Sequence, residues 1–338
     1  MDDLRSMYST KKVISLIKQN AIFVSLLVLV LIIILVNPAF VSFSVLRDIL
    51  IQVSTRIIIA LGAAIVLITA GCDLSAGRMV GIAAVLSGSL LQTQEYARRF
   101  YPHLQDLPLL IPILASIAVC ILFGLFNGFV VSKLSVPPFI ATLATTCILY
   151  GSTSLYVSIK PNESQPIAGY RDDFTFLGSG YFLGIPVIII IAVAVILVTW
   201  VLLNKTRFGK SVYAVGGNIN AARVSGINVK RTLLGVYAYA GALYGLAGVL
   251  ESARTGGSNN NYGVGYELDA IAASVVGGVS LMGGIGTVPG IIIGVLIFGV
   301  LNYGLTFVGM NPYWQQIIKG AIIVIAVAFD IRKYLTKK

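Results

Sequence analysis

The chain has 338 residues, 57% of them hydrophobic and 11% charged, with a mean hydropathy of +0.92. Soluble domains carry about 25% charged residues, so the composition excludes an ordinary soluble globule and points to an integral membrane protein. The formal net charge of +11 is what a nucleic-acid binder would carry, but the basic residues fall where they would orient membrane spans, and no nucleic-acid partner is expected.

The apolar runs are long and smooth, unlike the weak alternation of an outer-membrane barrel. They predict an all-α polytopic membrane protein. About ten transmembrane helices are predicted, at 21–36, 49–70, 79–92, 108–131, 137–157, 185–203, 232–250, 268–282, 287–308 and 313–329. The first follows Lys11, Lys12 and Lys18 as a signal peptide would. It runs into Asn-Pro-Ala-Phe rather than a small-x-small cleavage site, so it is expected to remain as a span. The whole chain, 1–338, reads as one transmembrane domain with polar loops at about 93–107 and 158–184 on one side and at 204–231 on the other.

Positive charge sets the orientation. With ten spans and both termini cytoplasmic, the inner segments hold sixteen Lys and Arg residues, six of them in 204–231 (Lys205, Arg207, Lys210, Arg223, Lys230 and Arg231). The outer segments hold six: Arg47, Arg98, Arg99, Lys160, Arg171 and Arg254. That bias has the sign of the positive-inside rule. Eight spans would satisfy it equally, because the third and eighth runs are short enough to be re-entrant.

Two glycine-bearing interruptions, GCDLSAG at 71–77 and GGVSLMGGIGTVPG at 277–290, break apolar runs on the same predicted side. They hint at an inverted repeat of spans 2–5 and 7–10, a common transporter plan. At membrane depth such breaks need cover from protein or a water-filled cavity, although plain surface loops would have the same sequence. The pairs Gly124/Gly128, Gly241/Gly245 and Gly290/Gly294, each four apart, predict close helix packing.

Catalytic chemistry finds little support. Cys72, Cys120 and Cys147 lack metal-ligand spacing, His103 is the only histidine, and no metal site or His-based triad can be built. Residues 207–211, Arg-Phe-Gly-Lys-Ser, resemble the end of a phosphate-binding loop, but Asn204 stands where its first glycine belongs. Energy from ATP would therefore have to come from a partner. Asp73 near the first break is a candidate for the path or gate, or else orients the break or pairs with Arg78. Glu267 and Asp269 are explained as well by capping of a helix start. Among neutral polar residues, Ser75, Asn127, Thr142, Thr145, Tyr237 and Asn302 join Asp73 as candidates for lining a path or gate. A neutral sugar needs hydroxyl partners and aromatic faces, yet the same residue types also serve as glue between helices. In 204–231, Asn218 is placed to cap a short helix and Gly226 to stop it.

At this point the motifs resemble a known family. Lys205 to Asn218, Ala221 to Ile227, the run from Tyr266 to Thr287, GCDLSAG and VPPFIATLATT (136–146) are similar to the monosaccharide permeases of ATP-binding-cassette importers, nearly end to end. Through ITAGCDLSAGR (68–78) and 311–330 the chain is most similar to the branch that carries galactose and methyl galactoside. The resemblance implies a multi-pass protein of the bacterial inner membrane, working with a second copy of itself in membrane lipid. It further implies a cytoplasmic ATP-binding subunit that hydrolyses ATP with Mg, a periplasmic sugar-binding protein, and no cofactor on this chain. It implies a coupling helix at Asn218, Asn220, Ala221, Ala222, Arg223, Ser225 and Gly226. Related permeases carry Glu-Ala-Ala-x-x-x-Gly there, whereas this chain has Asn220 in place of the glutamate. Ribose, xylose or another small sugar remains an alternative cargo. A stand-alone secondary transporter and a passive channel are the alternatives of another class.

Overall fold

The computed structural model describes residues 30–335. Most of the predicted first span, the basic residues before it, and Lys337 and Lys338 lie outside the described residues, although 30–36 is helical. In chain order the helices are α1 (Phe43–Ile68), α2 (Ala76–Leu90), α3 (Leu110–Lys133), α4 (Pro138–Ser158), α5 (Asp172–Ser179), α6 (Val187–Lys205), α7 (Arg207–Gly217), α8 (Ile219–Val224), α9 (Val229–Thr255), α10 (Tyr266–Val276), α11 (Val288–Phe307) and α12 (Pro312–Leu335). Six of them, α1, α3, α4, α6, α9 and α11, are long and apolar enough to cross a membrane.

Burial separates these helices into two kinds. The most apolar window of α1 is 78% buried and that of α9 is 67% buried, against 22% for α6. α1 and α9 therefore form the core of the bundle. On α6, Val193, Leu197, Val198 and Val201 are exposed, an apolar surface that suits lipid tails rather than water. α9 packs against α2 and α3, while α1 packs against α10 and α11. The two halves of the chain are thus interlaced.

Glycine lets the core helices touch through their backbones. A Cβ on Gly124 would overlap the Tyr237 carbonyl oxygen, and one on Gly241 would overlap the Cys120 carbonyl oxygen, across the α3–α9 seam. Gly290 and Gly294 of α11 face the carbonyls of Gly277 and Ala273 in the same way. Those three spaced pairs pack as small-residue interfaces do.

Two predicted spans are short as helices. α2 has 15 residues and α10 has 11, or about 22 and 16 Å at 1.5 Å per residue, against a hydrocarbon core of about 30 Å. α10 stops at Val276 because Gly277 and Gly278 follow, with Gly278 at φ +89. The second interruption meets the end of α1, just before the first begins: the Gly284 N–H donates to the Ile68 carbonyl at 2.8 Å. One precedes α2 and the other follows α10. They are neighbours, and they are not counterparts under a pairing of α1–α4 with α9–α12; the stretch matching 69–75 in that pairing is 256–265.

The segment 158–184, predicted as a loop, is folded. Its β1 (Ile167–Ala168) pairs antiparallel with β4 (Gly257–Ser258), and β2 (Tyr181–Phe182) pairs with β3 (Ile185–Pro186). α5 lies on α9 so closely that a Cβ on Gly178 would overlap the Arg254 backbone nitrogen. Gln92 ties in the loop at 93–107, donating to the Ala168 carbonyl at 2.7 Å and accepting from the Phe100 N–H at 2.6 Å. The Tyr170 hydroxyl bonds Ser258 Oγ at 2.9 Å, and burial raises its pKa above the usual phenol value. Phe100, Ile167, Tyr170 and Phe174 form a small core with Val249 and Ala253 beneath them.

Candidate functional site

Five of the seven candidates for a path or gate share one buried hydrogen-bonded cluster. The chain leaves α1 through Ala70, at φ +58. Asp73 Oδ1 accepts from the Ser75 N–H at 2.9 Å and from the Ser75 hydroxyl. Asn127 of α3 donates to Ser75 Oγ at 3.0 Å and accepts from Thr145 Oγ1 of α4 at 2.6 Å. Thr142 Oγ1 accepts from the Leu74 N–H at 3.2 Å, and Thr146 Oγ1 donates to the Leu74 carbonyl at 2.9 Å. Asp73 orients the break, as one of its sequence readings has it. Arg78 does not pair with it: its guanidinium lies 4.4 Å from the Tyr150 ring centre and donates to the Asn260 carbonyl.

The cluster spends most of its donors and acceptors on itself, so its first effect is to fix the break against α3 and α4. Asn127→Leu keeps the volume and removes both bonds. It should lower stability by about 1–3 kcal/mol, read as a lower unfolding midpoint of the purified protein in detergent.

Tyr237 stands at the rim of this cluster. Its hydroxyl is buried without a hydrogen-bond partner among the described residues and faces Gly71. From Gly71 and Tyr237 a cavity of about 510 Å³ extends past Ser135 and Gly216 to Asn218 and Arg223. That size is within the range of ligand sites, about 300–1,000 Å³. It joins the break to the short helix of 204–231.

That polar stretch holds two helices where the sequence reading has one. Thr206 caps α7 by accepting from the Gly209 N–H at 3.2 Å. Tyr213 donates to the Gly286 carbonyl at 2.8 Å. At Gly216 a Cβ would overlap the Ile68 carbonyl oxygen and lie 2.7 Å from the Gly284 nitrogen, so α7 rests on the end of α1 and on the second interruption at once.

α8 follows as predicted. Asn218 Oδ1 accepts from the N–H groups of Asn220 and Ala221 at 3.0 and 2.9 Å. Gly226 stops the helix at φ +80, with the Gly226 N–H on the Arg223 carbonyl and the Ile227 N–H on the Ala222 carbonyl, bonds of the kind that close helix C-termini. Only Ala222 is buried, against Val215, Val229 and Leu233. Asn220, Ala221, Arg223 and Ser225 are exposed, and Val224 is 90% exposed.

Asn302 does not join the other candidates. It lines a separate cavity of about 180 Å³ between α1, α10, α11 and α12. Nearby lies a charge cluster that the sequence reading missed. Glu251, 1% exposed, accepts from Arg254 at 2.9 and 3.1 Å and from Thr55 Oγ1 at 2.7 Å, with Arg56 at 3.9 Å. The signal was the Glu251-x-x-Arg254 spacing just past an apolar run. Asp269 pairs with Lys319 at 3.1 Å, which gives it a role besides capping.

Comparison with known proteins agrees with this architecture. A family model described as "Branched-chain amino acid transport system / permease component" matches residues 45–327. The galactose/methyl galactoside import permease protein MglC of Haemophilus influenzae is 50% identical over 97% of this chain and 98% of its own length. The MglC protein of Escherichia coli K12 is 48% identical over 98% of this chain and 100% of its own. The ribose import permease protein RbsC of Bacillus subtilis is 39% identical over 92% of each chain. No solved structure matches the chain. With the family match running from the first turn of α1 into α12, and these relatives matched nearly end to end, the chain belongs to this family of membrane permease components of transport systems.

Proposed function

We propose that the chain is the inner-membrane permease of an ATP-driven importer for a small neutral sugar, with galactose or methyl galactoside as the cargo. The observation that carries this is the end-to-end match at 50% and 48% identity to galactose/methyl galactoside import permeases, against 39% for a ribose import permease. The unit works as two copies in membrane lipid. A cytoplasmic partner hydrolyses ATP with Mg, and a periplasmic sugar-binding protein docks on the folded layer made by 93–107 and 158–184.

Ten spans with both termini cytoplasmic fit this reading, with α2 and α10 as partial spans. The contacts favour an inverted repeat of α1–α4 and α9–α12. The contacts of α1 with α10 and α11 are matched by those of α9 with α2 and α3, and α10–α11 and α10–α12 by α2–α3 and α2–α4.

The coupling helix is α8. Closure of the ATP-binding subunits moves it, and the motion passes through α7 to the two interruptions and to the cavity below Tyr237. Differential affinity of the nucleotide-bound partner for the two states shifts the permease between them. Asn220 lacks the carboxylate of related coupling helices, so the grip on the partner rests on Val224, Ile219 and Arg223, all exposed.

The test is sugar uptake by the assembled importer in proteoliposomes. Wild type should accumulate galactose only with ATP inside the coupled compartment. Ala222→Trp, which overfills the contact with Val215, Val229 and Leu233 beneath α8, and Gly226→Pro, which cannot adopt φ +80, should each cut uptake at least about 10-fold. A tenfold loss corresponds to about 1.4 kcal/mol in the coupled step. Uptake by the chain alone in an ion gradient, or leak without ATP, would place it among secondary transporters or channels. Preference for ribose over galactose would change the cargo and leave the rest.

A further inference from the structure

The cavity of about 180 Å³ between α1, α10, α11 and α12 is lined by polar groups from all four helices. Two of them are buried and have no hydrogen-bond partner among the described residues: Arg56 Nη1, a donor, and Asn302 Oδ1, an acceptor. Most buried polar groups in proteins are bonded, and here an unbonded donor and an unbonded acceptor line one space, so this pair is arranged for a guest that both accepts and donates. Hydroxyl groups do both.

The surrounding charges argue for a neutral guest. Lys319 is held by Asp269 at 3.1 Å, and Arg56 faces Glu251 at 3.9 Å. Glu251 in turn binds Arg254 through both carboxylate oxygens. The guanidinium of Arg56 lies 3.3 Å from the centre of the Tyr266 ring, which fixes its plane. An ion entering here would disturb paired charges, whereas a polyol would not. Phe298 supplies an apolar wall for the C–H face of a sugar ring.

The space also has an approach. A second cavity of about 360 Å³, lined by Asp48, Ile51, Gln52, Arg254, Tyr303 and Thr306, shares Gln52 and Thr306 with the first. It lies toward the end of the bundle where α1 begins and α9 ends, opposite α8. Together the two spaces enter the size range of ligand sites, about 300–1,000 Å³.

The geometry points to a receiving subsite for a monosaccharide at this end of the permease, with Arg56 Nη1 donating to one sugar hydroxyl and Asn302 Oδ1 accepting from another. The assignment rests on the importer reading above. It adds a sugar-contacting pair distinct from the Asp73 cluster.

Two measurements on the complete importer in proteoliposomes test it. Asn302→Leu keeps the volume and deletes the acceptor; the sugar moved per ATP hydrolysed should fall at least about 10-fold, the scale of one lost buried hydrogen bond. Separately, Thr306→Cys places a thiol where the two cavities meet. Its labelling by a charged methanethiosulfonate, above that of the unsubstituted protein, should slow at least threefold in millimolar galactose. Ala39→Cys, at an exposed position outside the layer made by 93–107 and 158–184, should label at the same rate with and without sugar. Unchanged transport by Asn302→Leu, or labelling of Thr306→Cys indifferent to galactose, ribose and xylose alike, overturns the subsite and leaves only water there. The labelling is read without turnover, so it decides the subsite even if wild type fails to take up any sugar, a result that would sink the importer reading instead.

Discussion

Glu251→Ala should destabilise the protein by about 3–5 kcal/mol, the cost of breaking a buried ion pair and leaving its partners charged. Glu251 is 1% exposed and holds Arg254 with two bonds, Thr55 with one and Arg56 at 3.9 Å. Removing the carboxylate leaves two guanidiniums facing each other in a site built around an anion. The carboxylate also lies in the last turns of α9, where the helix dipole disfavours it, so it is stable there only because of its partners. The measurement is the unfolding midpoint in detergent or in a denaturing surfactant. Thr55→Val, which removes a single bond to the same oxygen, should cost about 1 kcal/mol. If Glu251→Ala costs no more than Thr55→Val, water already screens the cluster and it is not a lock between α1, α9 and α10.

Gly216→Ala should cut uptake by the assembled importer at least about 10-fold, while Gly217→Ala should leave it within twofold of wild type; a tenfold change is about 1.4 kcal/mol. The two glycines are adjacent, and their surroundings differ. A Cβ on Gly216 would overlap the Ile68 carbonyl oxygen and crowd the Gly284 nitrogen, whereas one on Gly217 meets nothing within 4 Å. The obstructing atoms are backbone, so no side chain can turn aside. α7 would have to lift from the end of α1 and from the glycine-rich turn together. Equal uptake by the two variants would remove α7 from the route between α8 and the membrane interior.

What was readable in the sequence depended on how local its cause is. α8 was legible from end to end because Asn218 and Gly226 act on their own neighbours. α7 was not, because Lys205, Arg207 and Lys210 hid an apolar face: Val212 and Val215 are buried, and Phe208 packs under Gly235. The polar cluster was largely legible, since Thr142, Thr145 and Thr146 lie one helical turn apart and face the break. Asn302 was grouped with them because polarity alone carries no coordinate along the membrane normal. Glu251 was missed because it sits one residue beyond an apolar run, where a surface position is the cheaper reading. The length of α10 was overestimated because hydropathy continues to Met282, while the helix is ended at Gly277 by conformation rather than polarity.

The shortness of α10 also constrains how the protein is made. A segment leaving the translocation machinery settles in lipid by its own apolar length, and 11 residues reach only about half the hydrocarbon core of about 30 Å. The glycine-rich turn after it bares backbone groups that lipid cannot satisfy. Their cover stands far earlier in the chain: the Gly284 N–H of the turn donates to the Ile68 carbonyl, and Ser274 Oγ of α10 lies 3.4 Å from the Ala60 carbonyl, 214 positions before it. α10 is therefore held by its neighbours rather than by its own apolar length, and on the importer reading its place in the membrane would depend on packing against α1.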